Sequence, residues 1–368
     1  MAPTESTALP KTIRGWRMAS PGKLEEFERT ATPPEPGQAL VTVAGCGICH
    51  TDLGYLFGGV RTKHALPLVL GHEISGVVAA AGPGAESWIG RRVLVPAVSP
   101  CGTCRACRAQ RGTACARATM PGNDHDGGFA SHVEVPAASL CPVDATGSSA
   151  AAEAPIGLAR LSLWEISVVA DAVTTPLQAI RRCGLAPGDL AVVIGVGGVG
   201  TYGVQLARSA GAEVAAVDVD SSKLERARDL GAGLTLLAAK DADLRGQLRA
   251  FASARGLAPD GWRIFEMSGT RAGQELAWSL LSRGGSVSVV GYTPDPGTFR
   301  LSNLMAFDAT AYGNWGCDPS LYPDALSLTA SGEIRVRGLV RREALADAPA
   351  ILEAVHQGKF TERVVLVP

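Results

Sequence analysis

The chain has 368 residues, 46% of them hydrophobic, and a formal net charge of −1. That length suits two domains better than one core. The near-zero charge gives no general attraction to nucleic acid or an anionic membrane surface, and no run of about 18 apolar residues is present to span a bilayer. Residues 1–10 lack a basic stretch followed by an apolar run, so no signal peptide is read and a cytoplasmic location is expected. Gly 44 and Pro 23 imply many turns, and aromatics at 5% leave packing to Ala, Val, Leu and Ile. Nine cysteines in such a chain read as metal ligands and free thiols.

Two polar clusters come first, Gly47-Ile48-Cys49-His50-Thr51-Asp52 and Gly71-His72-Glu73. A catalytic zinc needs about three protein ligands and an open position. Cys49, His72 and a third group from elsewhere meet that need. A small buried thiol and a structural imidazole fit the same residues. Next, Cys101, Cys104, Cys107 and Cys115 are spaced C-x2-C-x2-C-x7-C. Soft thiolates at short steps close a tetrahedron around one Zn²⁺, and four of them leave no open position, so this site is structural. The alternative, disulfides, requires an oxidising compartment. Residues 147–154, rich in Ala and Ser, read as a connector.

The apolar run 191–194 predicts a buried parallel strand, followed at once by Gly195-Val196-Gly197-Gly198-Val199-Gly200. Val199, Tyr202, Leu206 and Ala210 then recur at helical spacing, and a second apolar run, 214–217, ends in Asp218. Strand, glycines, helix, strand and acid in this order form a dinucleotide-binding βαβ unit. Gly195 permits the turn, Gly197 lets the backbone approach a pyrophosphate, and Gly200 allows close helix–strand contact. Gly198 and Val199 complete the loop at the helix N-terminus, which favours phosphate charge. Asp218 suits the adenosine ribose hydroxyls and repels a 2′-phosphate, favouring NAD over NADP; a plain turn residue is the alternative. Lys223 is a candidate ribose contact or a surface lysine. Further strands are expected at 262–265 and 286–290, with backbone groups at 290–292 facing the nicotinamide.

These motifs, in this order, resemble the zinc-dependent medium-chain alcohol dehydrogenases over nearly the whole chain. The resemblance implies an α/β plus β architecture. Residues 1–172 would form a GroES-like catalytic domain with both zinc sites, 173–317 a Rossmann NAD-binding domain with a doubly wound parallel sheet, and 318–368 a return to the catalytic domain. The cofactors implied are NAD and two Zn²⁺, one catalytic and one structural. By the same resemblance, Cys49 and His72 are catalytic zinc ligands and Asp171 stands at the third ligand's position, although a helix N-cap would also suit it. Glu73 would enter or leave the coordination shell. Thr51 matches the hydroxyl that passes on the alcohol proton, His50 a pyrophosphate contact, and Thr175 the residue packed on the nicotinamide. Arg363 matches a pyrophosphate-binding arginine, with a surface arginine as the alternative. Gly54 departs from the pattern, since many relatives carry a relay His there. Zinc of this kind polarises an alcohol oxygen, and the carbon gives hydride to NAD.

Longer strings, among them 51–55, 70–76, 95–101 and 120–123, resemble the subfamily of 6-hydroxycyclohex-1-ene-1-carbonyl-CoA dehydrogenases of anaerobic benzoyl-CoA degradation. That implies a cyclic acyl-CoA substrate whose ring hydroxyl is oxidised to a ketone. With reduced cofactor, conjugate hydride addition to the enone is an expected reverse activity, motivated by Gly54. Arg61, Lys63 and His64, or Arg181 and Arg182, are candidate contacts to the CoA phosphates, or simply a solvated basic surface. The alternative is a general secondary-alcohol or polyol dehydrogenase. A homo-dimer or tetramer is implied, with 309–315 and the strand at 286–290 as candidate pairing edges.

Overall fold

The structure, a computed structural model, describes residues 9–144 and 155–368; the connector expected at 147–154 lies outside them. The chain divides into two units, Met1–Thr174 with Gly316–Pro368, and Thr175–Trp315.

The first unit opens with an antiparallel hairpin, β1 (Thr12–Ser20) and β2 (Lys23–Thr30). It continues with β3 (Gln38–Gly47), α1 (His50–Leu56), β4 (Glu73–Ala81) and β5 (Arg92–Val95). After α2 (Arg105–Arg108) come β6 (His132–Pro136) and β7 (Cys141–Pro142). Val41, Val43, Ile74, Val78, Val93, Val95 and Val133 from these strands join one core with Leu68, Leu70 and Phe129. Each such side chain contributes roughly 1.5–3 kcal/mol on burial. The metal-site residues stand at the strand ends: Cys49 two residues beyond β3, and His72 one residue before β4.

The second unit takes α3 (Thr174–Arg182) from its second residue. It then alternates β8 (Leu190–Ile194), α4 (Gly200–Ser209), β9 (Glu213–Asp218), α5 (Ser221–Asp229), β10 (Leu234–Leu237), α6 (Leu244–Ala254), β11 (Arg263–Glu266), α7 (Arg271–Leu280), β12 (Ser286–Val289), α8 (Ser302–Phe307) and β13 (Thr310–Gly313). All pairings are parallel, in the order β10-β9-β8-β11-β12-β13. This is the doubly wound order in which ligands sit beyond the carboxyl ends of the strands. The continuous apolar runs follow from burial on both faces: every residue of β8 is buried. One expectation is corrected here. β12 lies between β11 and β13, so its edge is already paired; only β13 is outermost on that side.

The chain then returns to the first unit through α9 (Tyr322–Ser331), β14 (Val340–Ala344), α10 (Ala348–His356) and β15 (Arg363–Val367). β15 pairs with β3 at Val365–Gly47 and Leu366–Cys46, which completes the sheet β14-β15-β3-β4-β5-β7 with β6 beside β3. That pairing carries Arg363 to the strand ends where the metal-site residues stand.

Candidate active site and its metal centres

Cys49 is the N-cap of α1, and Asp52 is the third residue of that helix. Asp52 Oδ2 accepts the Cys49 N–H at 2.9 Å, a capping interaction that fixes the thiol. Its Oδ1 accepts the Gly71 N–H at 3.1 Å and His72 Nδ1 at 3.2 Å. With Nδ1 turned to Asp52, Nε2 is the ring nitrogen left to face a metal. Nε2 lies 3.7 Å from Asp171 Oδ2, and Cys49 Sγ lies 3.9 Å from the same oxygen. Tetrahedral zinc with bonds of about 2.0–2.3 Å separates its ligand atoms by about 3.5 Å. Sulfur, imidazole and carboxylate at these distances fit that metal. Asp171 follows the two-turn 3₁₀ run Glu165–Ala170 with φ −141° and ψ −55°, and its carboxylate meets Cys49 and His72.

Glu73 is the fourth member of the cluster, whose ligand atoms all lie within 4.8 Å of one another. Its carboxylate also takes both arms of Arg363: Nε donates to Oε2 at 2.7 Å, and Nη2 donates to Oε1. Arg363 is 9% exposed and Glu73 0%, so the surface-arginine alternative is corrected: Arg363 is a buried counter-ion. Burial raises the Glu73 carboxyl to about 7, against the pull of Arg363. For His72, burial acts to lower the pKa, but Asp52, with Asp171 and Cys49, raises it well above the ordinary value. Thr51 Oγ1 lies 3.7 Å from Cys49 Sγ, at the metal's side, and His50 is exposed at the head of α1.

The four-cysteine lobe has its own geometry. Cys104 and Cys107 sulfurs are 3.5 Å apart, and Cys101 and Cys107 sulfurs 3.9 Å. Zinc–thiolate bonds of about 2.3 Å place sulfurs about 3.8 Å apart, whereas a disulfide requires about 2.05 Å. All nine cysteines are free, which corrects the disulfide alternative. Backbone N–H groups of Cys101 and Arg117 point at Cys115 Sγ, at 3.5 and 3.3 Å, and Arg117 Nη2 is 3.2 Å from Cys101 Sγ. Donors aimed at sulfur favour the thiolate, the form zinc binds. Hydrogen bonding, led by the Thr103 backbone, lowers the Cys101 thiol to about 5. The lobe's apolar core is small, Val98, Cys115 and Ala118 with the other cysteines against it, so a metal supplies what packing does not.

In the second unit, Gly195 has φ +84°, and a Cβ there would stand 2.4 Å from Ser268 Cα. A Cβ at Gly200 would lie 1.8 Å from the Gly195 carbonyl oxygen, while Gly197 faces open space. The loop is therefore closed by its outer glycines and open at its middle, with Gly198 and Val199 leading into α4. Asp218 ends β9 at 8% exposure; its Oδ2 accepts the Val196 N–H at 2.8 Å and its Oδ1 the Asp220 N–H at 3.0 Å. It is thus built into the loop's base and is more than a turn residue. NAD fits this arrangement. Lys223 is half-buried in the first turn of α5, and Thr175 is buried near the start of α3. The expectation for 290–292 is narrowed: the Val290 and Gly291 amides already donate to the Glu266 carbonyl at 2.9 and 3.0 Å.

Two residues that support the site's backbone escape motif reading. Asp52 was present in the first cluster, and its spacing of three from Cys49 is the capping signal that reveals its role. Tyr322 donates to the Ala170 carbonyl beside Asp171, and no local signal marks it.

Residues 35–145 match the alcohol dehydrogenase GroES-like domain, and residues 198–331 match the zinc-binding dehydrogenase domain. An alcohol dehydrogenase of Rhizobium meliloti is 30% identical over 349 residues, which are 94% of this chain and 96% of that protein. L-galactonate-5-dehydrogenase of Escherichia coli is 28% identical over 315 residues, 85% of this chain and 86% of its own. Among solved structures, acetophenone reductase from Geotrichum candidum in complex with NAD is 25% identical, with a TM-score of 0.82 and 98% of each chain covered. The chain belongs to the zinc-containing medium-chain alcohol dehydrogenase family, with a GroES-like N-terminal domain and a Rossmann-type six-stranded parallel sheet. It is an oxidoreductase of the zinc-containing alcohol dehydrogenase type.

Proposed function

We propose that this protein oxidises a secondary alcohol or a polyol hydroxyl reversibly, with NAD as hydride acceptor. The observation that carries the reading is the convergence of Cys49 Sγ, His72 Nε2 and Asp171 Oδ2, with Thr51 Oγ1 beside them. When bound, zinc draws electron density from an alcohol oxygen and lowers its pKa, and NAD accepts hydride. Cys49, His72 and Asp171 would hold the metal, with the alcohol oxygen as the substrate's contact to it. Thr51 orients the hydroxyl and takes its proton. With Gly54 in place of a relay imidazole, that proton leaves through exposed His50 or solvent. Gly195 to Gly200 hold the pyrophosphate, Asp218 selects the free ribose, and Thr175 supports the nicotinamide. The sugar-acid relative, L-galactonate-5-dehydrogenase, supports the polyol class.

A narrower substrate, the ring hydroxyl of 6-hydroxycyclohex-1-ene-1-carbonyl-CoA, rests on the shared sequence strings and on Arg61, exposed in the loop between the first two ligands. It stands second, because other basic candidates are engaged. Lys63 Nζ pairs with Asp124 at 3.2 Å, and Arg182 Nη1 donates to the Gly313 carbonyl at 2.6 Å. NADH formation from the zinc-loaded protein tests both, with polyols, simple secondary alcohols, cyclohex-2-enol and the CoA ester offered in parallel. Turnover of the free alcohols supports the first reading; turnover confined to the CoA ester moves the substrate to the second. Absence of NADH with every alcohol would sink both. Deuteride tracing with the enone would place label on the ring β-carbon only if conjugate addition occurs.

Copies of the chain are proposed to pair along β13. This outer strand is largely exposed, and Leu301 and Met305, at and within the helix that precedes it in the chain, are 71% and 79% exposed.

A further inference from the structure

Tyr322 is fully buried in the C-terminal return, and its hydroxyl serves two backbone groups. It donates to the carbonyl of Ala170, the residue before Asp171, and accepts the Ala97 N–H at 2.9 Å. Ala97 stands between β5 and Cys101, at the root of the four-cysteine lobe. Four residues before Tyr322, Asp318 Oδ2 accepts the Gly112 N–H at 2.7 Å, three residues short of Cys115. The approach is close enough that a Cβ on Gly112 would lie 2.4 Å from that oxygen. Asp318 Oδ1 accepts from the Ser320 amide and hydroxyl at 3.1 and 2.8 Å, which fixes the carboxylate. Gly316, at φ +55°, sets the same stretch against Val98, where a Cβ would lie 2.5 Å from Val98 Cγ2.

Residues 316–322 thus touch the lobe at Ala97, Val98 and Gly112, and touch the active-site backbone at Ala170. We propose that Asp318 and Tyr322 form a strut that transmits the filling of the four-cysteine site to the placement of Asp171 at the catalytic metal. The strut rests on Asp171 being a metal ligand. Its physical basis is that both backbone groups served by the phenol are buried, Ala170 at 0% and Ala97 at 2% exposure. Removing the phenol hydroxyl takes that acceptor from the Ala97 N–H and one donor from the Ala170 carbonyl, a cost borne by the backbone that joins the two sites. Thr174 Oγ1 also donates to the Ala170 carbonyl, at 3.2 Å. That carbonyl therefore keeps one donor in Tyr322→Phe, and the variant should fold. Neither Tyr322 nor Asp318 is given a role in touching substrate or cofactor; both are positioning residues.

The test uses protein with zinc in the four-cysteine site and Co²⁺ at Cys49, His72 and Asp171, whose visible bands report ligand geometry without turnover. Tyr322→Phe is expected to shift those bands and to speed cobalt loss to a chelator roughly tenfold. Asp318→Ala, at a half-exposed position, should act in the same direction. Cys104→Ser, which empties the lobe, should give the same band shift, and combining it with Tyr322→Phe should add none. Wild-type bands and release rates in both Tyr322→Phe and Asp318→Ala would overturn the strut. If Tyr322→Phe fails to fold, Asp318→Ala decides alone, since that side chain reaches the lobe without filling the core. Wild-type protein that takes up no cobalt at the cluster would overturn the metal reading and the strut together.

Discussion

Asp52 is wholly buried and accepts hydrogen bonds from the Cys49 amide, the Gly71 amide and His72 Nδ1. It therefore sets the position of one ligand and the orientation of another. Asp52→Ala should lower catalytic-metal affinity about 10–100-fold, measured by competition with a chromogenic chelator, while the four-cysteine metal stays. Cys49→Ala removes a ligand outright: one zinc per chain should remain by elemental analysis, NAD binding should persist, and kcat should fall at least about 100-fold. Unchanged turnover would end the catalytic-zinc account. Asp218→Ala removes a negative charge beside the ribose. The ratio of NADP to NAD affinity should rise about tenfold, the equivalent of about 1.4 kcal/mol, and NAD itself should weaken because the Val196 amide loses its acceptor. Isothermal titration with both nucleotides reads this directly.

The glycine loop shows how an element's geometry follows from what its residues lack. Gly200→Ala would force a methyl against the Gly195 carbonyl oxygen, at 1.8 Å. Loss of dinucleotide binding is expected, with destabilisation of about 1–3 kcal/mol from overpacking; tryptophan fluorescence under urea and NADH titration separate the two effects. The four-cysteine lobe presents the opposite case, an element with too few apolar side chains to hold itself. β13 belongs here as well, because an outer parallel strand with exposed apolar neighbours invites pairing. Ala311→Pro should remove a backbone donor from that edge and lower the association state in sedimentation velocity; an unchanged state would exclude that edge.

Across the first unit, stability draws on ties between distant stretches. Arg337 Nε and Nη2 meet the buried Glu165 carboxylate at 2.9 and 2.8 Å, and the Ser162 amide adds a bond at 2.7 Å. Burial works to raise the Glu165 pKa, but these partners lower it below its ordinary 4.5. A depressed folded-state pKa means stabilisation that is present above 4.5 and is lost as pH falls through the folded value. The melting temperature should therefore decline more steeply below about pH 4.5 in wild type than in Glu165→Gln. The difference should be small, since the Arg337 side chain is 54% exposed and solvent screens the pair.

What was readable before folding was everything whose chemistry is local: the four cysteines, Cys49 and His72, and the strand–glycine–helix–acid order ending at Asp218. Each depends on short spacing or on the fixed periods of helix and strand, which a linear chain displays. The family resemblance extended this to Asp171, but left it open between ligand and helix cap, since nothing near it in the chain names its partner. Folding brings together residues that no local rule relates. Asp171 reaches Cys49 across 122 positions, Glu73 reaches Arg363 across 290, and Tyr322 reaches Ala170 across 152. In each case a buried polar or charged group must find a partner wherever sheet pairing brings one within reach. β15 aligned on β3 supplies that reach for Arg363, and the same sheet geometry decided that β12 is interior while β13 is an edge.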